Sequence, residues 1–298
     1  MPSPQHEAIV QMLLAQARPP TPPTVQEMRA GFDAMTSLFP VPDGVRSEKV
    51  DADGVPGEWI EMPGAVRGRS VLYLHGGAYV IGSVNTHRGL IARIAAATKA
   101  RCLAIDYRLA PEHPFPAAVE DATKAYRWLL ARGQEPSRLA VAGDSAGGGL
   151  TLATLLALRD AGAPLPAAGV CLSPWTDLEG TGASATDPKI GDPMIAVDGL
   201  RKSGRDYLGP RGDAKNPLAA PLYGDYRRIP PLLIQVGTRE ILLDDSTRVA
   251  ARAKAAGVDV TLERGEGLIH VWQFFGADVP ESIAAIARIG EFVAKHAA

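Results

Sequence analysis

A serine lies at the centre of a glycine-flanked turn in residues 139–149, which read Leu-Ala-Val-Ala-Gly-Asp-Ser-Ala-Gly-Gly-Gly. The run before Ser145 is apolar and strand-like, and the run after it, to Asp160, is compatible with a helix. Glycines two positions before and after a serine permit the strained strand-to-helix turn called a nucleophile elbow. The free N–H groups at the start of such a helix favour an oxyanion beside the serine. The segment therefore predicts that Ser145 is a nucleophile.

A serine hydroxyl is a poor nucleophile at neutral pH, so it needs a histidine base and a carboxylate that orients the histidine. An apolar strand-like run at 231–237 is followed by Glu240 and Asp244, where such an acid belongs. His270 follows the last predicted strand, 258–263. The order serine, acid, histidine is that of α/β-hydrolases and not that of chymotrypsin-like or subtilisin-like proteases.

A further set of N–H donors is predicted at residues 75–78, which read His-Gly-Gly-Ala after the strand-like run 70–74. The segment matches the oxyanion motif that esterases carry in the loop after the third strand. Only small residues at these positions let backbone N–H groups approach a substrate oxygen. The sequence thus predicts an oxyanion site to accompany the nucleophile.

Taken together, these motifs resemble the bacterial hormone-sensitive-lipase-like carboxylesterases, family IV, of the α/β-hydrolase superfamily. The resemblance runs from about residue 70 to the C-terminus and rests on the ordered segments 75–78, 106–116, 143–147, 173–175 and 240–244, and on His270. It implies an α/β-hydrolase fold with a helical cap and a catalytic triad of Ser145, Glu240 and His270. It also implies an oxyanion hole at Gly76, Gly77, Ala78 and Ala146.

The chain departs from the family pattern at two places. The first motif often ends in glycine and here ends in Ala78, which keeps the N–H group but adds a methyl group. The acid segment often reads Asp-Pro-Leu-x-Asp and here reads Glu-Ile-Leu-Leu-Asp from Glu240 to Asp244. This alignment favours Glu240 as the acid. The alternatives are that Asp244 is the acid, or that Asp244 or Asp245 caps the following helix.

Other titratable residues are interpreted as structural. Four histidines are weaker candidates for the base because they lie near a terminus, among prolines or within the oxyanion motif: His6, His296, His113 and His75. Asp106 and Arg108 follow a predicted strand, and we expect them to hold a loop through hydrogen bonds.

Composition and charge restrict the function classes. The net charge of −2 gives no indication of nucleic-acid binding. No apolar run reaches the roughly 18 residues of a transmembrane helix, and the first residues lack the basic and apolar parts of a signal peptide. We therefore expect a cytoplasmic protein without stable membrane insertion. Cys102 and Cys171 lie in strand-like runs and are expected to be buried, reduced thiols. No phosphate-binding glycine loop or zinc-spaced His and Cys set is present, so we expect neither cofactor nor metal.

From residue 70 onward, strand-like and helix-like runs alternate, which predicts a mainly parallel, eight-stranded sheet with helices on both faces. The predicted strands are 70–75, 101–107, 138–143, 168–173, 231–236 and 258–263, with an edge hairpin within 45–63. The predicted helices are 86–99, 117–132, 146–160, 244–256 and 280–296. Ligands of such sheets bind beyond the carboxyl ends of the strands, where the three triad residues fall.

Two segments do not fit this alternation. The first 40 residues combine an amphipathic stretch at 7–14, a proline cluster at 19–23 and a helical piece near 25–38. The second segment, 177–225, is rich in Gly, Pro and Asp. The resemblance implies that both segments form a cap that shapes the acyl pocket. The predicted divisions are an N-terminal cap part (1–44), a cap insertion (177–225) and two core parts (45–176 and 226–298).

The sequence therefore predicts a serine carboxylesterase that acts on small-molecule esters with acyl chains of roughly two to eight carbons. An amide-cleaving hydrolase of the aminoacyl-peptidase or formamidase type shares the triad and remains an alternative. A non-catalytic receptor on the same fold is the other alternative, although receptors of this kind lose the histidine. A homodimer is left open.

Overall fold

A single sheet of eight strands forms the centre of the computed structural model, which describes residues 1–15, 23–276 and 278–298. The strands are β1 (Arg46–Asp51), β2 (Pro56–Glu61), β3 (Ser70–Leu74), β4 (Arg101–Ile105), β5 (Leu139–Asp144), β6 (Ala168–Leu172), β7 (Leu232–Gly237) and β8 (Val260–Gly265). Their order in the sheet is β1-β2-β4-β3-β5-β6-β7-β8. The β1–β2 and β2–β4 pairs are antiparallel, and the other pairs are parallel.

Eight α-helices accompany the sheet. They are α1 (Pro4–Leu14), α2 (Val25–Thr36), α3 (Val84–Thr98), α4 (Ala117–Ala131), α5 (Ala146–Asp160), α6 (Val197–Leu208), α7 (Leu243–Ala255) and α8 (Pro280–His296). These eight are the α-helices of the described ranges. None of the helices described is long and apolar enough to cross a membrane.

Side chains alternate between two cores along the fully buried strand β3. Val71 and Tyr73 pack in the core that contains α3 and α8, whereas Leu72 and Leu74 pack in the core that contains α4. Both faces of the strand are therefore apolar, as expected for a parallel strand covered by helices on each side. Because the carboxyl ends of the parallel strands meet at one edge, the loops after β3, β5, β7 and β8 converge there.

This architecture confirms the α/β-hydrolase fold expected from the alternating pattern, including the antiparallel hairpin at the sheet edge. Predicted and observed ends of the core strands and helices agree to within about two residues. Cys102 and Cys171 are buried and free, as predicted. Residues 19–22 of the proline cluster lie outside the described part of the chain.

One helix and one cap were not predicted correctly. The segment 177–225 contains α6, whose two glycines, Gly199 and Gly204, obscure its helical pattern in the sequence. Helix α7 begins after Leu242 without a side-chain cap, so the N-cap alternative for Asp244 and Asp245 is wrong. The Asp245 carboxylate instead accepts hydrogen bonds from the backbone N–H groups of Thr176 and Asp177.

Candidate active site

Ser145 occupies a strained turn between β5 and α5. Its backbone has φ 54° and ψ −119°, and its N–H donates to the carbonyl of Leu172 at 2.8 Å. The glycine at 147 is required by contact: a Cβ there would lie 2.0 Å from the carbonyl oxygen of Leu74. A positive φ at a non-glycine residue is costly and persists only where the surroundings enforce it. The packing of α5 against the end of β3 provides this enforcement.

His270 and Glu240 form a direct pair on the loops after β8 and β7. Nδ1 of His270 lies 2.5 Å from Oε2 of Glu240. The other carboxylate oxygen, Oε1, accepts the N–H of Gly237 at 2.8 Å, and the Glu240 side chain is fully buried. Asp244 lies elsewhere: its Oδ2 accepts the N–H of Ser184 at 2.9 Å. The structure thus pairs His270 with Glu240 and not with Asp244.

The surroundings of this pair set its protonation. Burial alone lowers the pKa of His270, but the Glu240 carboxylate opposes this and the net pKa of His270 is raised above 6.5. Burial raises the pKa of Glu240, against the stabilising effect of His270. A buried carboxylate on Nδ1 favours the tautomer with its proton on that nitrogen, which leaves Nε2 as the proton acceptor.

The loop after β3 has an unusual backbone. Gly77 and Ala78 have φ values of 117° and 53°. Within the described part of the chain, the N–H groups of these two residues and of Ala146, the first residue of α5, have no hydrogen-bond acceptor. These three N–H groups are thus available to a substrate oxygen.

Gly76 differs from the other residues named for the oxyanion hole. Its N–H donates to Oδ1 of Asp144 at 3.1 Å and also lies 3.3 Å from Nε2 of His87. A donor engaged by a buried carboxylate is not free for a substrate oxygen, so the inclusion of Gly76 as a donor is wrong. Gly76 is glycine for a packing reason, since a Cβ there would lie 2.2 Å from Asp144 Oδ2.

Asp144 is a buried anchor that the sequence did not reveal, because the second position of the Gly-x-Ser-x-Gly motif is variable. Its carboxylate accepts the Tyr73 hydroxyl at 2.7 Å and lies 3.3 Å from Nε2 of His87. Burial raises the pKa of Asp144, but His87 and Tyr73 lower it further, so the net direction is downward. The carboxylate therefore ties the serine loop to the oxyanion loop.

Several residues set aside from the sequence are structural, as predicted. Asp106 accepts the N–H of Val84 at 2.7 Å, and Arg108 binds the Asp121 carboxylate. Nδ1 of His75 lies 2.7 Å from the carbonyl oxygen of Gly76, and the ring stacks on Tyr107 with centroids 4.2 Å apart.

A mostly apolar cavity of about 300 Å³ connects these groups. Ser145, His270, Gly77 and Ala78 line it together. Its walls come from α2, from residues 194–203 at the start of α6 and from the segment after His270: Met28, Phe32, Met35, Met194, Ile195, Leu200, Phe274 and Phe275. A larger, more polar cavity of about 680 Å³ between the end of α2 and the start of α3 contains none of the three triad residues.

Comparison with known proteins is consistent with this geometry. Residues 71–274 match the family described as alpha/beta hydrolase fold. An acetyl-hydrolase of Streptomyces hygroscopicus is 44% identical over 272 residues, which are 90% of this chain and 89% of the relative. A crystal structure of an esterase from the bacterial hormone-sensitive lipase family is 49% identical with a TM-score of 0.95, and all of both chains is covered.

A second solved structure, that of EstE5 soaked by p-nitrophenyl butyrate, is 45% identical with a TM-score of 0.95 and covers 99% of each chain. The family match extends over more than half of the chain, and the relatives share the whole architecture. The chain therefore belongs to the α/β-hydrolase family, and within it to the esterases of the bacterial hormone-sensitive-lipase group.

Proposed function

We propose that this protein hydrolyses short to medium acyl carboxylic esters through an acyl-enzyme formed on Ser145. His270 takes the proton of the serine hydroxyl as Oγ attacks the ester carbonyl, and it then delivers that proton to the leaving alcohol. Glu240 holds the imidazole in its productive tautomer. Water repeats the cycle on the acyl-enzyme and releases the carboxylic acid. The proposal needs no cofactor or metal.

The observation that carries this proposal is the pairing of His270 with a fully buried Glu240 on the same cavity as Ser145. A histidine that only stabilises a fold does not require a buried carboxylate on one nitrogen and an open cavity at its other side. The strained φ of Ser145 supports the same role, since backbone strain collects at functional sites.

The oxyanion hole is assigned to the N–H groups of Gly77, Ala78 and Ala146. Donors already oriented toward the oxygen stabilise the developing negative charge of the tetrahedral intermediate, and removal of one costs about 10²–10³ in kcat. The methyl group of Ala78 is compatible with this role because only its backbone N–H is used.

We further propose that segments 1–44 and 177–225 form the cap. Helix α2 is held to the core by Arg29, which donates to the carbonyls of Val80 and Ala110 and pairs with Glu112. Residues before α6 are held by Asp192, whose Oδ2 accepts the N–H of Ile241 beside the acid. Both contacts favour a closed cavity that excludes water.

The cavity lining favours neutral acyl groups over aminoacyl groups. An α-ammonium group needs a carboxylate partner, and the one carboxylate among the described lining residues is Asp144, which is already bound by Tyr73, Gly76 and His87. The Met, Ile, Leu and Phe walls suit hydrocarbon. A gain of about 0.8 kcal/mol per buried CH₂ corresponds to about fourfold in kcat/KM per added methylene until the cavity is full.

The test is a series of p-nitrophenyl esters from acetyl to palmitoyl, measured beside aminoacyl anilides, with Ser145→Ala as the matched variant. We expect activity on esters of about two to eight carbons and a loss of several orders of magnitude in the folded variant. Wild-type-like turnover by a folded Ser145→Ala would refute the mechanism. Faster turnover of the anilides would establish the amide-cleaving alternative, and activation at an oil–water interface would indicate a lipase.

A further inference from the structure

The first helix lies against the loops that carry the acid and the base. None of residues 1–15 is among the described residues that line the cavity. The backbone N–H and the hydroxyl of Ser3 instead bind the two carboxylate oxygens of Glu281 at 2.5 and 2.7 Å. Pro2 packs so closely on Gly267 that a Cβ at the glycine would lie 2.8 Å from the proline ring. Helix α1 is thus attached at its start to the base loop, residues 266–271.

The base loop and the acid loop are also attached to one another. Arg239, which precedes Glu240, donates its N–H to the carbonyl of Leu268 at 3.0 Å. Its guanidinium lies 3.6 Å from the carboxylate of Glu7 on α1. Helix α1 therefore contacts both loops at the point where the Glu240–His270 pair forms.

His6 makes the innermost of these contacts. Its side chain is 1% exposed, and Nε2 lies 3.4 Å from the N–H of Ile269, the residue before His270. Nε2 must be unprotonated to accept this hydrogen bond, so the proton of the neutral ring is on Nδ1. Among the described residues Nδ1 has no hydrogen-bond partner. A buried donor without a partner is unfavourable, and its retention calls for a compensating contact at Nε2.

We propose that His6 is a positioning residue for catalysis: through the N–H of Ile269 it holds the base loop so that His270 stays paired with Glu240 and directed at Ser145. This inference rests on the proposed function. His6 was set aside in the sequence because it lies near the N-terminus, yet the fold brings it across 263 positions to the base. A displacement of about 1 Å at a reacting group can cost about 10²-fold in rate.

The test compares three substitutions at one position. His6→Gln places an amide oxygen near the former Nε2 and keeps an acceptor for Ile269. His6→Asn keeps the polarity but its oxygen stands near the former Nδ1, too far back to reach Ile269. His6→Leu removes the acceptor. The matched control is Leu13→Ala, which loosens α1 in the same core without touching the base loop.

We expect His6→Leu and His6→Asn to lower kcat by 10- to 100-fold with KM changed less than about threefold. His6→Gln should recover at least a third of the wild-type kcat. Leu13→Ala should lower the melting temperature but keep kcat within twofold.

Two NMR readouts do not require catalysis. Exchange of the Ile269 amide proton should quicken at least tenfold in His6→Leu and stay slow in His6→Gln. The downfield Nδ1 proton of His270 should weaken or shift only in the variants without the acceptor.

A His6→Leu protein with wild-type kcat and a protected Ile269 amide would overturn the inference. So would a Leu13→Ala protein that loses as much kcat as His6→Leu. If the wild type has no esterase activity, the proposed function fails, while the NMR readouts still decide whether His6 positions the pair.

Discussion

Replacement of Glu240 by glutamine tests the catalytic arrangement most directly. Both carboxylate oxygens accept an N–H: Oε1 from Gly237 at 2.8 Å and Oε2 from His270 at 2.5 Å. Glutamine has the same shape but only one acceptor oxygen. If that oxygen stays with Gly237, the amide NH₂ faces His270 and requires an unprotonated Nδ1. The proton then moves to Nε2, which can no longer accept the proton of Ser145.

The expected loss follows from this wrong tautomer. An acid-to-amide change of this kind in a serine protease triad lowers kcat by about 10⁴, or about 5 kcal/mol of transition-state stabilisation. The change also moves the pH profile. The base acts unprotonated, so kcat/KM falls as the pH drops through the raised pKa of His270, above 6.5. Without the carboxylate, burial alone acts on the imidazole, and the acid limb of the residual activity should move to lower pH.

The assay is kcat/KM for p-nitrophenyl butyrate from pH 5 to 9 in the wild type, Glu240→Gln and Asp244→Asn, with thermal unfolding to verify the fold. Asp244→Asn can keep its contact with Ser184 through the amide oxygen, so we expect kcat within about threefold of the wild type. A folded Glu240→Gln with kcat within tenfold of the wild type would refute the assignment of the acid. A large loss in Asp244→Asn with little loss in Glu240→Gln would transfer the role to Asp244.

Two further predictions concern the support of the site and the size of the cavity. Asp144→Asn should lower the free energy of unfolding by about 2–3 kcal/mol in urea titrations, because hydrogen bonds to a buried charged acceptor are lost; unchanged stability would show that the contacts of Tyr73 and Gly76 to this carboxylate are dispensable. Gly199, on α6, lines the cavity, and a Cβ there has nothing within 4 Å. Gly199→Phe should therefore lower kcat/KM for octanoyl esters at least tenfold more than for acetyl esters, and equal losses for the two chain lengths would count against the cavity as the acyl site.

Much of this protein could be predicted from local patterns. The alternation of apolar strands and helices is a periodic signal within each segment, so the core elements and the fold class follow from it. The glycines around Ser145 are required by contacts that any elbow makes, such as Gly147 against the Leu74 carbonyl. The chain order of Ser145, Glu240 and His270 likewise needs only sequence, because parallel strands bring their carboxyl ends to one edge.

Only the tertiary structure decided which side chains meet. Glu240 and Asp244 are four residues apart and chemically equivalent in the sequence, yet one reaches His270 and the other reaches Ser184. The Asp144 contact that removes Gly76 from the oxyanion donors joins residues 68 positions apart. Such contacts depend on how distant segments pack, and a distance along the chain carries no information about them. For the same reason His6 is an unremarkable residue near the N-terminus in the sequence, and a buried neighbour of the base loop in the fold.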